Sequence, residues 1–256
     1  MATQKIDVDL YNEQGYLTGI PVYSNEETAG LLHTYHRLRA LLPLGVSTQR
    51  MDWWHGEDKE LWDICTHPSI LDCVESILGQ DFYVWGTQFF AKEPGDGKTT
   101  PWHQDAFYWP LSPHKAVTVW LAFAESNEKN GCMRVIPGSH RAGKMRYRKS
   151  DKESDVLDME IETGSFHIQN AASLLLKAGE ISLHDDNIVH GSDANFSSSL
   201  RCGLTIRYAA SEVKCDLSVW SFFKTFPVRG IDRWQHNPIG IPPSANMTHY
   251  RAVTPE

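Results

Sequence analysis

RCGLTIRYAA, residues Arg201–Ala210, alternates charged or small side chains with apolar ones. Successive side chains of an extended chain point to opposite faces. Arg201, Gly203, Thr205 and Arg207 therefore share one face, and Cys202, Leu204, Ile206 and Tyr208 the other. The second face suits a core. The first, with two arginines among small residues, suits a ligand cavity, so the stretch predicts a strand lining the inside of a layered or closed β structure. FYVWGTQFFAK, Phe82–Lys92, is aromatic and β-branched and reads the same way. It places Gly86, Gln88, Phe90 and Lys92 on one face, with Gln88 and Lys92 able either to hydrogen-bond a ligand or to sit in core and rim.

Working outward, strands are expected at Trp102–Phe107, Lys115–Ala124, Cys132–Ile136 and Glu180–His184. Turn chemistry separates them at Glu93–Gly97, Asn130-Gly131 and Pro137-Gly138. Short strands at this rhythm favour an antiparallel sandwich or barrel over alternating βαβ units. Lys115–Ala124 puts Thr118 and Trp120 on one face, where Trp120 could wall a ligand or pack in the core. Residues 1–80 read as mainly helical. Ser24 and Glu27 form a capping box for a helix running toward Pro43, and Pro68 and Gly79 bracket a second helix. Residues 81–211 then form the β core, within a single domain spanning 1–256. Residues 141–172 are the least patterned, basic at first and acidic later, and are either a lid over a site or a solvated loop. Residues 212–256 form a C-terminal extension that covers the barrel mouth or makes a subunit contact.

The 256 residues are 41% hydrophobic and 22% charged, as in ordinary water-soluble globular chains, and allow a large core. A net charge of −8 gives no electrostatic footprint for nucleic acid or an acidic membrane. No apolar run approaches the roughly 20 residues that span a bilayer. The first residues lack the basic-then-apolar pattern of a secretory signal. Five cysteines without a C-x-x-C pair read as reduced thiols, and a cytoplasmic protein is expected.

The chemistry is carried by PWHQDAFYW and IVHGS. His103 and Asp105 stand one residue apart, and in a strand both would face one point. A His-x-Asp pair alone arises often among 12 histidines. Joined by His190, and by Arg201 eleven residues later, it becomes specific. His184 is the rival for the third position; His190 is preferred because a strand end, a turn over 193–199 and a return strand fit its interval to Arg201. Two imidazoles and one carboxylate occupy one face of an octahedral metal and leave three positions open, which suits non-haem Fe(II) and O2. 2-Oxoglutarate would chelate two of those positions, and its far carboxylate needs a fixed cation, for which the planar fork of Arg201 serves better than lysine. Arg207 could grip a substrate anion or end in a strand-edge salt bridge.

These motifs resemble the phytanoyl-CoA dioxygenase (PhyH) family of Fe(II)/2-oxoglutarate oxygenases over roughly Tyr11 to Tyr208. The resemblance rests on AKEPGDGKTTPWHQDAFYWPL, VWLAFAESNEKNGCMRVIPGSH, IVHGSDANFSSSLRCGLTIRY and the early EQGYL. It implies a mainly β fold, a double-stranded β-helix (jelly-roll, cupin-like) flanked by N-terminal helices. It implies His103, Asp105 and His190 as iron ligands, Arg201 and Ser192 on the co-substrate, and Lys92 and Trp120 as further contacts. Halogenases of this architecture lack the carboxylate ligand, so Asp105 favours hydroxylation. The chain is shorter than the acyl-CoA hydroxylases and shows no separate CoA-binding feature. A small polar metabolite, amino-acid-like or aminophosphonate-like, is therefore expected as substrate, since bacterial relatives oxidise ectoine and aminophosphonates. Arg207 and the aromatic group Trp53, Trp54, Phe107, Tyr108 and Trp109 would suit a zwitterion. An acyl-CoA hydroxylase, a non-oxidative jelly-roll metal enzyme and a binding protein are the alternatives. The oligomeric state is not legible.

Overall fold

The computed structural model describes residues 5–150, 155–162 and 164–254. Its helices are α1 (Val8–Gln14), α2 (Asn25–Arg39), α3 (Lys59–Cys65) and α4 (Pro68–Leu78). The strands are β1 (Tyr16–Pro21), β2 (Phe82–Lys92), β3 (Thr100–His103), β4 (Leu111–Ser112), β5 (Ala116–Ala122), β6 (Met133–Val135) and β7 (Tyr147–Lys149). They continue as β8 (Met159–Ile161), β9 (Ala172–Ser173), β10 (Glu180–Asp185), β11 (His190–Ser192), β12 (Arg201–Ala210), β13 (Lys214–Cys215) and β14 (Phe226–Arg229). A six-stranded sheet runs β1-β10-β5-β12-β2-β14 and a four-stranded sheet β3-β11-β6-β9, all pairs antiparallel. The two sheets enclose a cavity between them, and the architecture is the jelly roll.

The alternation in β12 decides which side is which. Cys202, Leu204, Ile206 and Tyr208 join Val117, Val119, Leu121, Ile181 and Leu183 in the main core, on the outer face of the larger sheet. Leu31, Tyr35, Leu38, Ile70 and Val74 of α2 and α4 cover that face. Each fully buried aliphatic side chain of this kind contributes about 1.5–3 kcal/mol by leaving water. The inner face keeps Thr118, Trp120, Ser182, His184, Arg201, Thr205 and Arg207, all buried.

Both expected helices form. The Ser24 capping box closes in both directions, Ser24 N–H donating to Glu27 Oε2 at 2.8 Å and Glu27 N–H to Ser24 Oγ at 3.4 Å. Pro68 opens α4, and Gly79 follows its last residue. The N-terminal part is less helical than expected, because Tyr16–Pro21 is an edge strand of the larger sheet. Gly15, with φ 82°, ends α1 and turns the chain into it. A bulge lies between Leu17 and Ile20, so the two buried residues stand three apart and imitate helical spacing. The expected strand over 102–107 also needs correction. The strand ends at His103, and Asp105–Phe107 is a short 3-10 turn.

The C-terminal extension is built into the body. Phe226–Arg229 pairs with β2 as an edge of the larger sheet. Asn237 donates to the Val213 carbonyl and accepts from the Cys215 N–H, both buried. The stretch 141–172 is more ordered than its sequence implied. Tyr147–Lys149 and Met159–Ile161 form a two-stranded ribbon, while residues 151–154 and 163 of that stretch lie outside the described residues.

Candidate active site

His103 ends β3 and His190 begins β11, and the two are direct partners in the antiparallel register. Each ring is fixed by a carbonyl two residues upstream, His103 Nδ1 on Pro101 O at 2.8 Å and His190 Nδ1 on Ile188 O at 3.0 Å. A carbonyl only accepts, so Nδ1 carries the proton in both and both Nε2 lone pairs are left free. Asp105 reaches them from the 3-10 turn, and the next residue's N–H donates to the Asp186 carbonyl at 2.8 Å. Strand alternation therefore does not aim this pair; the turn after β3 does. Asp105 Oδ1 lies 3.5 Å from His103 Nε2 and 3.8 Å from His190 Nε2. One ligand atom from each of the three residues lies within 4.8 Å of the others.

Burial alone would raise the Asp105 carboxyl, but His103, His184, His190 and Arg207 outweigh it and hold it well below the ordinary carboxylate range. Burial, reinforced by the neighbouring His103, holds His190 well below the ordinary imidazole range. The centre thus presents an ionised carboxylate beside an unprotonated imidazole nitrogen, the forms that bind a divalent metal. Two nitrogens and one oxygen on one side fit Fe(II) with open positions.

The second oxygen of Asp105 has its own neighbours. Oδ2 accepts from the Thr118 hydroxyl at 3.2 Å and lies 3.7 Å from His184 Nε2. His184 and Thr118 are cross-strand partners on β10 and β5. His184 is only 1% exposed, and neither ring nitrogen has a hydrogen-bond partner. Its ring lies 4.9 Å from that of His190, and it lines the same cavity as the three ligands. The alternation Ile181, Leu183 against Ser182, His184 already placed it on the inner face, a signal available in the sequence.

An inner cavity of about 40 Å³ extends from this centre between the sheets, past Trp120, His190, Ser192, Thr205 and Arg201. Arg201 is buried, Nε and Nη1 have no hydrogen-bond partner among the described residues, and its guanidinium lies 5.0 Å from the Trp120 ring centroid. Burial lowers it to about 10, so it remains a cation at neutral pH. Gly203 makes this stack possible, because any Cβ there would collide with the Trp120 ring. A buried cation with unused donors, facing a metal-competent triad, is a receptor for an anion.

Lys92, Thr118 and Gln88 each hold a protein partner. Lys92 Nζ donates to Ser192 Oγ at 2.8 Å and to the Asp193 carbonyl, bracing the turn after β11. Burial, then the charge of Arg201, brings Lys92 down to about 7. Thr118 serves Asp105. Gln88 accepts from Arg207 Nη2 at 3.0 Å and donates to the Gln49 carbonyl at 3.2 Å.

Past Phe90, His103, Asp105 and Arg207, which line both spaces, lies an outer chamber of about 450 Å³. Tyr108 and Trp109 line it, as do Trp53, Asp52, Trp220 and Phe222. The Arg207 guanidinium lies 5.7 Å from the Trp85 ring centroid and 5.5 Å from that of Trp109. Two expected aromatics are elsewhere. Phe107 stacks on Tyr147 at 3.6 Å and does not line the chamber. Trp54 is fully buried in the helical core, donating to the Arg251 carbonyl at 3.0 Å. Leu157 from the 141–172 stretch and Thr254 from the C-terminal extension complete the wall, and Tyr108 donates to the Met159 carbonyl of the ribbon at 2.9 Å. Asp52, Leu157, Trp220, Phe222 and Thr254 were not foreseen, because they lie in loops with no period to betray their direction.

Residues 11–203 match the model of the phytanoyl-CoA dioxygenase (PhyH) family. The chain is 27% identical over 225 residues to peroxisomal phytanoyl-CoA dioxygenase of Bos taurus, covering 78% of this chain and 66% of that protein. It is 26% identical to the probable alpha-ketoglutarate-dependent hypophosphite dioxygenase of Stutzerimonas stutzeri, covering 79% of this chain and 77% of the other. It spans about half to two thirds of the length of the mammalian phytanoyl-CoA dioxygenases it matches. Among solved structures, the apo non-heme monooxygenase ThoJ superposes with a TM-score of 0.80 at 27% identity, covering 93% of this chain and 89% of its own. With the family model matching well over half of its residues, the chain belongs to the phytanoyl-CoA dioxygenase (PhyH) family.

Proposed function

We propose that this protein is an Fe(II)- and 2-oxoglutarate-dependent dioxygenase that hydroxylates an unactivated carbon of a small polar metabolite, amino-acid-like or aminophosphonate-like. The observation that carries this reading is one cavity lined both by the His103–Asp105–His190 cluster and by the guanidinium of Arg201, whose Nε and Nη1 have no hydrogen-bond partner among the described residues. In the overall reaction, 2-oxoglutarate, O2 and a C–H bond give succinate, CO2 and an alcohol. His103, Asp105 and His190 would hold iron, and Arg201 the far carboxylate of 2-oxoglutarate, with Ser192 and Trp120 beside it. Metal and co-substrate together supply the oxidising power that breaks the C–H bond.

The protein's own residues supply geometry. The Pro101 and Ile188 carbonyls keep two imidazole nitrogens aimed inward. Trp120 lies against the arginine plane, in the space that Gly203 leaves for it. Phe90 and Arg207 stand where inner cavity meets outer chamber, so a substrate in the chamber presents one carbon to the open side of the triad. The chamber is of the size used for single small molecules, and Arg207 is its anchor for an acidic group. All five cysteines are buried and free, and no described helix is long and apolar enough to cross a membrane. A cytoplasmic setting is part of the proposal.

Anaerobic addition of Fe(II) and 2-oxoglutarate should give a visible charge-transfer band, and admitting O2 should release succinate. His103→Ala should lose both. Succinate release at the wild-type rate from that variant would sink the iron assignment. Activity that persists without O2 on Zn²⁺ alone would instead mark a non-oxidative metal enzyme, and melting shifts without co-substrate consumption a binding protein.

A further inference from the structure

The outer chamber contains a carboxylate that the oxidation does not use. Asp52 lines it, half-buried, immediately before Trp53. Its Oδ2 accepts from the Thr254 hydroxyl at 2.8 Å, while Oδ1 is buried with no hydrogen-bond partner among the described residues. Burial raises this carboxyl, and the Thr254 hydrogen bond and the charges of Arg50 and Arg207 only partly offset the rise. Arg207 lines the same chamber, buried, and its Nε has no hydrogen-bond partner among the described residues. Gln88 lies between the two, its backbone bridged to Asp52 and its side chain accepting from Arg207. Among the described residues, neither charge closes an ion pair with any neighbour. Two low-dielectric charges of opposite sign, each with an unused polar atom, are costly unless something satisfies both.

The walls around Asp52 add a second, independent sign. Trp53 meets Phe222 at 5.1 Å and Trp220 at 5.7 Å, both nearly edge-on, and all three rings line the same chamber as the acid. Trp53 itself has φ 61°, a left-handed backbone that bulky residues avoid and that concentrates at binding sites. Its N–H donates to the Thr87 carbonyl at 2.7 Å, which holds Asp52 and Trp53 against β2 in this conformation. Aromatic faces next to a carboxylate are the chemistry that recognises an ammonium group.

We infer that Asp52, with Trp53, Trp220 and Phe222, forms a cation subsite for the substrate's amino or ammonium group, opposite Arg207, which takes its acid. The substrate is then a compact zwitterion that enters the chamber with both charged ends, and neither a neutral compound nor an acyl thioester satisfies the pair. This inference rests on the oxygenase reading of the same site and names its substrate class. It also gives the C-terminal extension a part, since Thr254 orients the carboxylate.

The test uses the Fe(II)- and 2-oxoglutarate-loaded protein. The probes are the proteinogenic L-amino acids and 2-aminoethylphosphonate, each beside its N-acetyl and O-methyl ester derivative, with a straight-chain acyl-CoA as contrast. At least one free zwitterion should perturb the charge-transfer band and raise succinate release, and either blocked derivative should lose this. In Asp52→Asn, which keeps shape and the Thr254 contact, the zwitterion KM should rise about 10- to 100-fold relative to the 2-oxoglutarate KM. Asp52→Glu should restore most of the preference. The inference fails if the band forms and only acyl-CoA or blocked compounds respond, or if Asp52→Asn leaves the ratio of the two KM values unchanged. If no band and no succinate form at all, the oxygenase reading itself has failed.

Discussion

The inner cavity and the outer chamber share Phe90, His103, Asp105 and Arg207, yet they are made differently. Every polar group of the inner cavity stands on a strand or within two residues of its end: Thr100 and His103 on β3, Asp105 two residues after it, Trp120 on β5, His184 on β10, His190 and Ser192 on β11, Arg201, Thr205 and Arg207 on β12. Register places them, and backbone hydrogen bonds hold the register. The outer chamber takes Gln88, Phe90, His103 and Arg207 from strands, but, Asp105 aside, the rest of its wall comes from loops around residues 52–53, 108–109 and 219–222, from Leu157 and from Thr254. One space is fixed by the sheet; the other is free to differ without disturbing it. Chemistry common to many substrates belongs in the first and selection among substrates in the second.

The sharpest way to break this division is to disable the inner cation alone. Arg201→Met should raise the 2-oxoglutarate KM by roughly 100-fold or more, since truncating one partner of a buried charge pair costs about 2–5 kcal/mol. Steady-state succinate assays with co-substrate varied will read it. Substrate affinity, measured by perturbation of the charge-transfer band at saturating 2-oxoglutarate, should change far less. Equal losses for both would mean that the two spaces are one functional unit.

His184 tests whether the strand-built half depends on neighbours of the ligands as well as on the ligands. It faces Asp105 Oδ2 at 3.7 Å and the His190 ring at 4.9 Å, with no hydrogen-bond partner among the described residues. His184→Leu should weaken metal binding about 10- to 100-fold, the usual cost of losing an outer-shell contact, as read by titration with Co²⁺ and its visible spectrum. His184→Gln should recover part of the loss. An unchanged Co²⁺ affinity in His184→Leu would reduce this histidine to core filling.

Gly203 carries a smaller effect in the same half. Its missing Cβ is the space taken by the Trp120 ring. Gly203→Ala must push the indole off the Arg201 plane, at about 1–3 kcal/mol of overpacking. The melting temperature should fall, and the 2-oxoglutarate KM should rise by about tenfold while the KM of the primary substrate stays near its original value. A variant that melts lower with an unaltered 2-oxoglutarate KM would show that Trp120 does not set the arginine's position.

How much of this was legible follows from the same contrast. Alternation in Arg201–Ala210 and Phe82–Lys92 gave both strands with their observed ends. It also gave the inward direction of Arg201 and Arg207, because a period of two is a property of each strand by itself. The capping box at Ser24 and the Pro68–Gly79 bracket were legible for a similar reason, since each is a local hydrogen-bonding device. Asp105 was found by type and spacing but aimed by a turn the pattern did not show. Tyr16–Pro21 escaped because a bulge disguised its period. Trp53 and Trp54 are adjacent in sequence, yet one lines the chamber and the other is lost in the core, and only the left-handed backbone at Trp53 separates them. Asp52 and Thr254 meet across a separation of 202 residues, which no local signal encodes.

The outer wall should also reveal itself through pH, by the smallest of these effects. His55 sits behind Trp53, fully buried, with Nδ1 on the Thr87 hydroxyl at 3.2 Å and Nε2 unpartnered. Burial, helped by the charge of Arg207, lowers it from 6.5 to about 3. Between those values the unfolded chain binds a proton that the folded chain refuses, so stability falls as pH drops below 6.5. At pH 5.5, one unit below the unfolded value, the loss due to His55 should be about 1.4 kcal/mol. Urea unfolding at pH 7.5 and 5.5 will read it. In His55→Asn, whose side chain can still meet Thr87, the difference between the two pH values should shrink by about that amount, whatever happens to absolute stability. An undiminished difference would mean that the acid sensitivity arises elsewhere and that the ring behind Trp53 is open to protons. The wall of the outer chamber would then be looser than the sheet-built cavity beside it by more than its construction from loops requires.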